Sequence, residues 1–338
     1  MHWLEKHWYQ PTKLQLILVP ISLIFRALTA LRRAMYQNGM LHSEQLLIPV
    51  VVVGNINVGG TGKTPLTLAI AQQLIAKGWR PIIISRGYTP KSATTNTFRK
   101  LTFQQVTPNS NVQQVGDEPM LMALRQIAPV WTGLDRIATA HAAIKSHPEC
   151  NVILCDDGLQ HYRLRRDVEI AVVDGARRFG NGRLLPAGPL REPISRLEIV
   201  DAVVINGGDT EAGQFSMNLT GEIFYNLLDP TITAPAKHFL KSNNHAVAGI
   251  GNPERYFLHL ENLGIPFMPH SFPDHHPYCA ADLAFKDYEA ILMTEKDAVK
   301  CTAFADARFW VLRVEAEIDP TLLDHIQRKI KIYGRQTA

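Results

Sequence analysis

Val50-Val51-Val52-Val53-Gly54-Asn55-Ile56-Asn57-Val58-Gly59-Gly60-Thr61-Gly62-Lys63-Thr64-Pro65-Leu66 is the stretch whose reading decides the fold. Four valines read as a buried strand, and the apolar pattern after Thr64 reads as a helix. The glycines between them let consecutive backbone N–H groups turn inward around an anion. The helix that follows adds its free N–H groups and the positive end of its dipole. Lys63 is placed to reach the β- and γ-phosphates of a nucleotide, and the Thr64 hydroxyl to hold Mg²⁺. Asn57 stands where G-x-x-x-x-G-K-[ST] asks for glycine, so Gly59 and Gly60 are expected to supply the turn. The expected nucleotide-binding residues are Asn57, Gly59, Gly60, Thr61, Gly62, Lys63 and Thr64.

The pattern downstream repeats the strand-then-helix theme. A helix is expected from Pro65 to Lys77, closed by Gly78, and a strand from Pro81 to Ser85. Helices follow Gly116-Asp117-Glu118-Pro119 and Asp135. Apolar strands end at Asp156, Asp174 and Asn206. Such alternation predicts an α/β fold, a mostly parallel sheet with helices on both faces. The polar stretch from 89 to 114 reads as a hairpin or loop. Open sheets of this kind bind ligands at the carboxyl ends of their strands. Asp156-Asp157-Gly158-Leu159-Gln160-His161 therefore aims two carboxylates and an imidazole at the loop, with Asp156 and Asp157 as candidate metal ligands.

A chain of 338 residues suits one large or two medium domains. Four cysteines without a C-x-x-C pair suggest reduced thiols. The formal charge of +4 resides in the first 43 residues, where Lys6, Lys13, Arg26, Arg32 and Arg33 face only Glu5. The remaining chain is neutral overall, which argues against a general nucleic-acid binder. The apolar run Leu14–Leu31 is interrupted by Gln15, Pro20, Ser22 and Arg26 and is marginal for a span. It lacks a small-residue cleavage site of the signal-peptide kind. Aromatics at one end and arginines at the other fit a helix lying in an anionic membrane surface.

Residues 1–35 are thus expected as a membrane-associating segment and 36–214 as the phosphate-loop core. A smaller second α/β lobe is expected over 215–315, with a final helix over 316–338 packing back on the core. Within the second lobe, Gly249-Ile-Gly-Asn-Pro253 lacks a third glycine and reads as a strand-to-helix turn. Thr294-Glu295-Lys296-Asp297 has its lysine misplaced for a guanine reader. Ser271-Phe-Pro-Asp274-His275-His276-Pro277 has no companion cluster with zinc spacing. Arg177 to Glu192 is too rich in Gly and Pro for a regular element and too apolar for an idle loop. From these residues alone, a kinase, an NTPase switch and a nucleotide-binding assembly protein all stay open.

Taken together, the motifs resemble one family. They are the Gly54-to-Pro65 loop, Ser85-Arg86-Gly87-Tyr88, Gly116-Asp117-Glu118-Pro119, Asp156 to His161, Leu185 to Glu192, Phe272-Pro-Asp-His275 and Thr294 to Asp297. In this order they resemble the tetraacyldisaccharide 4'-kinases (lipid A 4'-kinases) of Gram-negative bacteria, across roughly residues 10 to 325. The resemblance implies a two-lobed P-loop fold. It implies transfer of the γ-phosphate of ATP, with Mg²⁺, to the 4'-hydroxyl of an acylated disaccharide 1-phosphate. It implies a peripheral or monotopic protein on the cytoplasmic face of the inner membrane, with no obligate protein partner and no nucleic acid. It assigns Asp117 as acceptor-hydroxyl base and His275 as its partner with Asp274 beside it. Lys63 and Thr64 handle phosphate and Mg²⁺, Asp156 and Asp157 are the acidic pair near the metal, and Gln160, His161, Arg191 and Glu192 line the active site.

Overall fold

The computed structural model describes residues 7–10, 12–87 and 103–333. Tyr88 and the polar stretch up to 102 lie outside them, as does Trp3, so the expectation for 89–114 meets the structure only from Phe103 on. There the chain forms a short edge strand, Phe103–Val106, and then one turn of helix at Val112–Val115.

In the large lobe the apolar runs become strands. These are β1 (Val50–Gly54), β2 (Pro81–Arg86), β3 (Phe103–Val106), β4 (Val130–Gly133), β5 (Val152–Asp156), β6 (Val168–Asp174), β7 (Ala202–Asn206) and β8 (Phe215–Thr220). All five residues of β1 are buried, as expected of a strand covered on both faces. The sheet runs β15-β8-β7-β6-β1-β5-β2-β4-β3, where β15 is Glu315–Ile318. Its interior pairs are parallel, and only β3 and β15 at its margins run antiparallel. Central β1 lies between β5 and β6, with Val53 opposite Asp156. This register brings the phosphate loop and the first acidic residue to one edge of the sheet.

Helices α2 (Lys63–Ala76), α3 (Asp117–Leu124) and α4 (Arg136–Ser146) pack on this sheet, preceded by the long α1 (Lys13–Gln37). Asp135 caps α4 by accepting from the Ile137 and Ala138 N–H groups. Leu66, Ile70 and Leu74 of α2 join one buried cluster with Val51, Val53 and Leu154. At roughly 1.5–3 kcal/mol for each fully buried aliphatic side chain, this packing is the main stabilisation of the helix.

Helix α1 is long and apolar enough to cross a membrane by length and composition, and little of it is buried. Leu16, Ile17, Ile21, Leu23, Ile24, Leu28 and Leu31 are exposed. One strip of it docks on the body. Buried Ser22 donates from Oγ to the Leu184 carbonyl at 2.8 Å, and Phe25 packs on the second core cluster. Just ahead, Trp8 is buried and donates from Nε1 to the Pro186 carbonyl at 3.0 Å.

The chain leaves the large sheet after Thr220 and returns at Glu315, so the strand at 215–220 pairs with β7 rather than within the smaller lobe. The second sheet has six strands in the order β10-β9-β14-β13-β11-β12. These are β9 (Ile223–Asn226), β10 (Thr233–Pro235), β11 (Asn244–Ala248), β12 (Met268–Ser271), β13 (Ala290–Thr294) and β14 (Phe309–Leu312). Helix α5 (Pro253–Asn262) covers one face through Tyr256, Phe257 and Leu260. The final helix, α6 (Pro320–Tyr333), sends Leu322, Leu323, Ile326 and Ile330 into the core of the large lobe.

Candidate active site

The phosphate loop is held from behind by its own polar side chains. Asn55 is fully buried and donates from Nδ2 to Thr61 Oγ1 at 3.2 Å. Asn206, at the end of β7, donates to the Thr61 carbonyl at 2.9 Å. Gly62 caps α2 with φ +94°, a left-handed conformation natural to glycine. A Cβ there would lie 2.4 Å from Asn206 Nδ2. Asn57 is buried and its Nδ2 donates to the Arg178 carbonyl at 2.7 Å. It therefore ties the loop to the Gly/Pro-rich segment. The same segment adds Val58 N–H to Pro189 O at 2.8 Å and Arg191 N–H to Ile56 O at 2.6 Å.

Asp156 and Asp157 sit in opposite electrostatic settings. Asp156 is buried at the end of β5, with Thr67 Oγ1 at 3.1 Å and Thr64 Oγ1 at 3.4 Å. Burial, reinforced by the Glu118 charge, pushes its carboxyl up to about 7. Burial also pushes Asp157 up, but Lys63 and Arg191 outweigh it and hold that carboxyl well below the usual range. Lys63 Nζ lies 3.4 Å and Arg191 Nη1 3.3 Å from Asp157 Oδ1. Asp157 itself takes φ +48°, so the chain turns sharply between the two carboxylates.

Gln160 joins this group. Its Nε2 donates to the Asn55 carbonyl at 2.9 Å and to Glu192 Oε1 at 2.7 Å. Glu192 is buried, and its other oxygen accepts from Tyr162 at 2.5 Å. Arg191, Gln160 and Glu192 are thus brought together beside Lys63. His161 has other neighbours. Burial and the cations Arg136 and Arg166 push its imidazole down to about 4, and its buried Nε2 has no hydrogen-bond partner.

The second cluster spans the lobes. His275 Nδ1 lies 3.0 Å from Asp117 Oδ2 at the start of α3, and Lys300 Nζ lies 3.7 Å from the same oxygen. Lys296 Nζ donates to Glu118 Oε1 at 2.9 Å and Asp274 Oδ1 at 3.1 Å, with His275 Nε2 at 3.4 Å. Burial raises Asp117, but the His275 hydrogen bond and the Lys300 charge bring it below the ordinary carboxylate value. The bond to Asp117 in turn raises His275, against its burial. His275 holds φ +60°. Its neighbour His276 turns away to Asp282 at 3.1 Å, so the His-His pair does not converge.

Between the clusters lies a cleft of about 380 Å³. Residues 60–65 of the loop and Glu118 line it from the large lobe; Tyr256, His259 and Lys296 line it from the small one. The Gly249-to-Pro253 turn closes its inner end. A Cβ on Gly251 would lie 2.3 Å from the Gly60 N, so only a bare backbone fits this approach. Arg177 donates to the Gly251 carbonyl at 2.6 Å, and Arg255 pairs with Asp174 at 2.8 Å.

The sequence names neither Lys300 nor Tyr162 as a site residue, and it offers Lys296 only inside the Thr294-to-Asp297 motif, with no role. Lys296 had one available signal: it follows β13 by two residues, at the carboxyl end of a parallel strand. The rest of that motif is scaffolding. Asp297 is fully buried, and its Oδ2 accepts from the Gly249 N–H at 2.9 Å and Thr294 Oγ1 at 2.7 Å.

Comparison with known proteins agrees with this geometry. A family model described as Tetraacyldisaccharide-1-P 4'-kinase matches residues 14–331. A tetraacyldisaccharide 4'-kinase of Methylobacillus flagellatus is 50% identical over 328 residues, covering 97% of this chain and 96% of that protein. One of Dechloromonas aromatica is 46% identical over 345 residues, with 99% of each covered. The crystal structure of LpxK from Aquifex aeolicus in complex with ATP superposes with a TM-score of 0.75 at 29% identity, over 94% of this chain and 99% of that one. The chain belongs to the tetraacyldisaccharide-1-P 4'-kinase family.

Proposed function

We propose that the protein transfers the γ-phosphate of ATP to the 4'-hydroxyl of tetraacyldisaccharide 1-phosphate, at the cytoplasmic face of a bacterial inner membrane. The observation that carries this reading is the Asp117–His275 pair, a carboxylate and an imidazole from different lobes, joined to the phosphate-loop cleft through the lining residues Glu118 and Lys296. A nucleotide hydrolase needs only to position water. A kinase needs a group that receives the proton of an alcohol.

ATP fits the cleft as a substrate. Residues 59–64 offer backbone N–H groups at a helix start, and Lys63 offers a cation. The cleft beyond them is mainly apolar with a few polar groups, among them the buried and unpartnered Tyr256 hydroxyl. Mg²⁺ fits the residues around Thr64. Among the described residues the buried Asp156 carboxyl makes no ion pair, whereas Asp157 already has two. Thr64 and Asp156 would hold the ion, with Asp157 at its edge, in keeping with the one or two carboxylates Mg²⁺ takes beside phosphates. When bound, the ion neutralises charge on the phosphate oxygens.

The chain's own groups do the rest. Lys63 Nζ, fixed by Asp157, stands ready to compensate charge developing on the transferred group. His275 and Lys300 both address Asp117 Oδ2, which leaves Oδ1 to accept the hydroxyl proton. The His275 hydrogen bond and the Lys300 charge make Asp117 a weak base. That suits a loose transition state, in which the alcohol stays largely protonated until transfer is advanced. Arg191, Gln160 and Glu192 form the wall on which the sugar is oriented. The contact of Gly251 with Gly60 restricts access of water to the inner end of the cleft. The exposed apolar side chains of α1 keep the enzyme at the surface where the acyl chains of the acceptor reside.

The decisive experiment supplies detergent-solubilised tetraacyldisaccharide 1-phosphate with ATP and Mg²⁺. Phosphate should appear on the sugar with the wild type and not with Lys63→Ala. ATP hydrolysis at the same rate with and without the sugar would sink the proposal.

A further inference from the structure

We propose that a second hollow, at the C-terminal end of α1, binds a phosphate group carried by a membrane lipid. It measures about 410 Å³. The last turns of α1 form one wall with Arg33, Tyr36 and Gln37. Tyr162, Arg165, Arg166 and Arg196 contribute the opposite side. Four arginines therefore face one small space whose only carboxylates are Glu169 and Asp201.

Those two acids are already engaged. Glu169 pairs with Arg166 at 2.7 Å through one oxygen and with Arg196 at 2.6 Å through the other. Asp201 pairs with Lys329 at 2.9 Å. Arg33 and Arg165 make no ion pair with any described residue. Arg196 is 2% exposed and also pairs with Glu192 through Nε at 3.2 Å, yet its Nη1 has no hydrogen-bond partner. A buried guanidinium nitrogen left unpartnered is costly. A phosphate oxygen is the acceptor that fits a guanidinium fork best.

The position of the hollow selects a lipid-borne phosphate. The exposed leucines and isoleucines of α1 end at Leu31, two residues before Arg33. An arginine just past an apolar helical stretch lies at headgroup depth. Two sources share this chemistry: the headgroup of a bulk anionic phospholipid and the 1-phosphate of the acylated acceptor. The hollow is wired to the sugar wall through Tyr162, Glu192 and Gln160, so either source would be sensed at the active site.

The test uses the full chain and two charge-matched double variants. Arg33→Gln/Arg165→Gln empties the hollow of its two unpaired cations. Arg26→Gln/Arg32→Gln removes two charges from α1 outside it. Flotation is measured with phosphatidylcholine vesicles, with and without phosphatidylglycerol, at low and high salt. The Michaelis constant for tetraacyldisaccharide 1-phosphate is measured in neutral detergent. Thermal melting checks that both variants fold. If bulk lipid is the source, the hollow variant loses its preference for phosphatidylglycerol about tenfold more than the control does. That excess persists at high salt, where exposed charges are screened. If the acceptor is the source, its Michaelis constant rises about tenfold in the hollow variant alone. Equal behaviour of the two variants in both assays overturns the proposal. The flotation arm needs no turnover, so it decides for or against a phospholipid site even if the kinase assignment fails.

Discussion

His275 Nδ1 stands 3.0 Å from Asp117 Oδ2, although 158 positions separate the two residues and they come from different lobes. The pair exists only while the lobes are held together at the phosphate-loop cleft. On the proposed function, proton acceptance by Asp117 is thereby made conditional on lobe contact. Asp117→Asn keeps the shape and removes the base. It should lower kcat by about 10²- to 10⁴-fold while ATP affinity, measured by calorimetry or fluorescent-nucleotide displacement, stays within about twofold of wild type.

Lys296 joins three partners from both lobes: Glu118, Asp274 and His275. An ammonium group is always a donor, so in the neutral form of His275 the Nε2 facing it presents a lone pair and Nδ1 carries the proton toward Asp117. Lys296→Met should lower kcat by about tenfold or more. Lys296→Arg should recover part of the loss because it restores the charge. Full activity in the methionine variant would show that the tautomer is set elsewhere.

The two shifts in this pair have opposite signs and define a pH window. His275 is raised above its ordinary 6.5, so its contribution to stability is full below that value and is lost as pH rises through its folded value. Asp117 is lowered below 3.8, so its contribution is present above that value and is lost as pH falls through its folded value. The drop in melting temperature caused by His275→Asn should therefore be largest between about pH 4 and 6.5 and shrink above it. A drop that is flat from pH 5 to 9 would count against ion pairing. The imidazole is half exposed, so the effect should be small.

Gly62→Ala tests the loop itself. The substitution sets an L side chain at φ +94° and drives a methyl to 2.4 Å from Asn206 Nδ2. ATP affinity should fall by about tenfold or more, the equivalent of the 1–3 kcal/mol such strain costs. Adding Asn206→Ala removes the clash but also the bond to the Thr61 carbonyl, so the double variant should recover only part of the affinity.

Much of the large lobe was legible because its central strands carry β-branched residues side by side. Val50–Val53 runs straight into Gly54, and Val152–Asp156 and Val168–Asp174 each end on a carboxylate. The strand at Phe215–Thr220 was harder to place. Its mixed buried and exposed pattern suits either lobe, and only its pairing with β7 assigns it. At the site, Lys63, Thr64 and Asp156 were readable from the turn after β1 and the end of β5, because local spacing fixes them. Lys296 and Lys300 were not. Their meaning comes from Asp117 and Glu118, residues from another lobe that no local periodicity connects to them.

The segment from Trp8 to Leu190 closes a mechanical circuit. Trp8 and Ser22 hang on the carbonyls of Pro186 and Leu184, while Pro189 and Arg191, a few residues on, grip Val58 and Ile56 of the phosphate loop. The exposed apolar helix and the phosphate loop are thus bolted to the same short strut. On the proposed function the strut works as a depth gauge: it sets the height above the lipid plane at which the donor waits, and so selects which hydroxyl of a membrane-bound sugar can reach it.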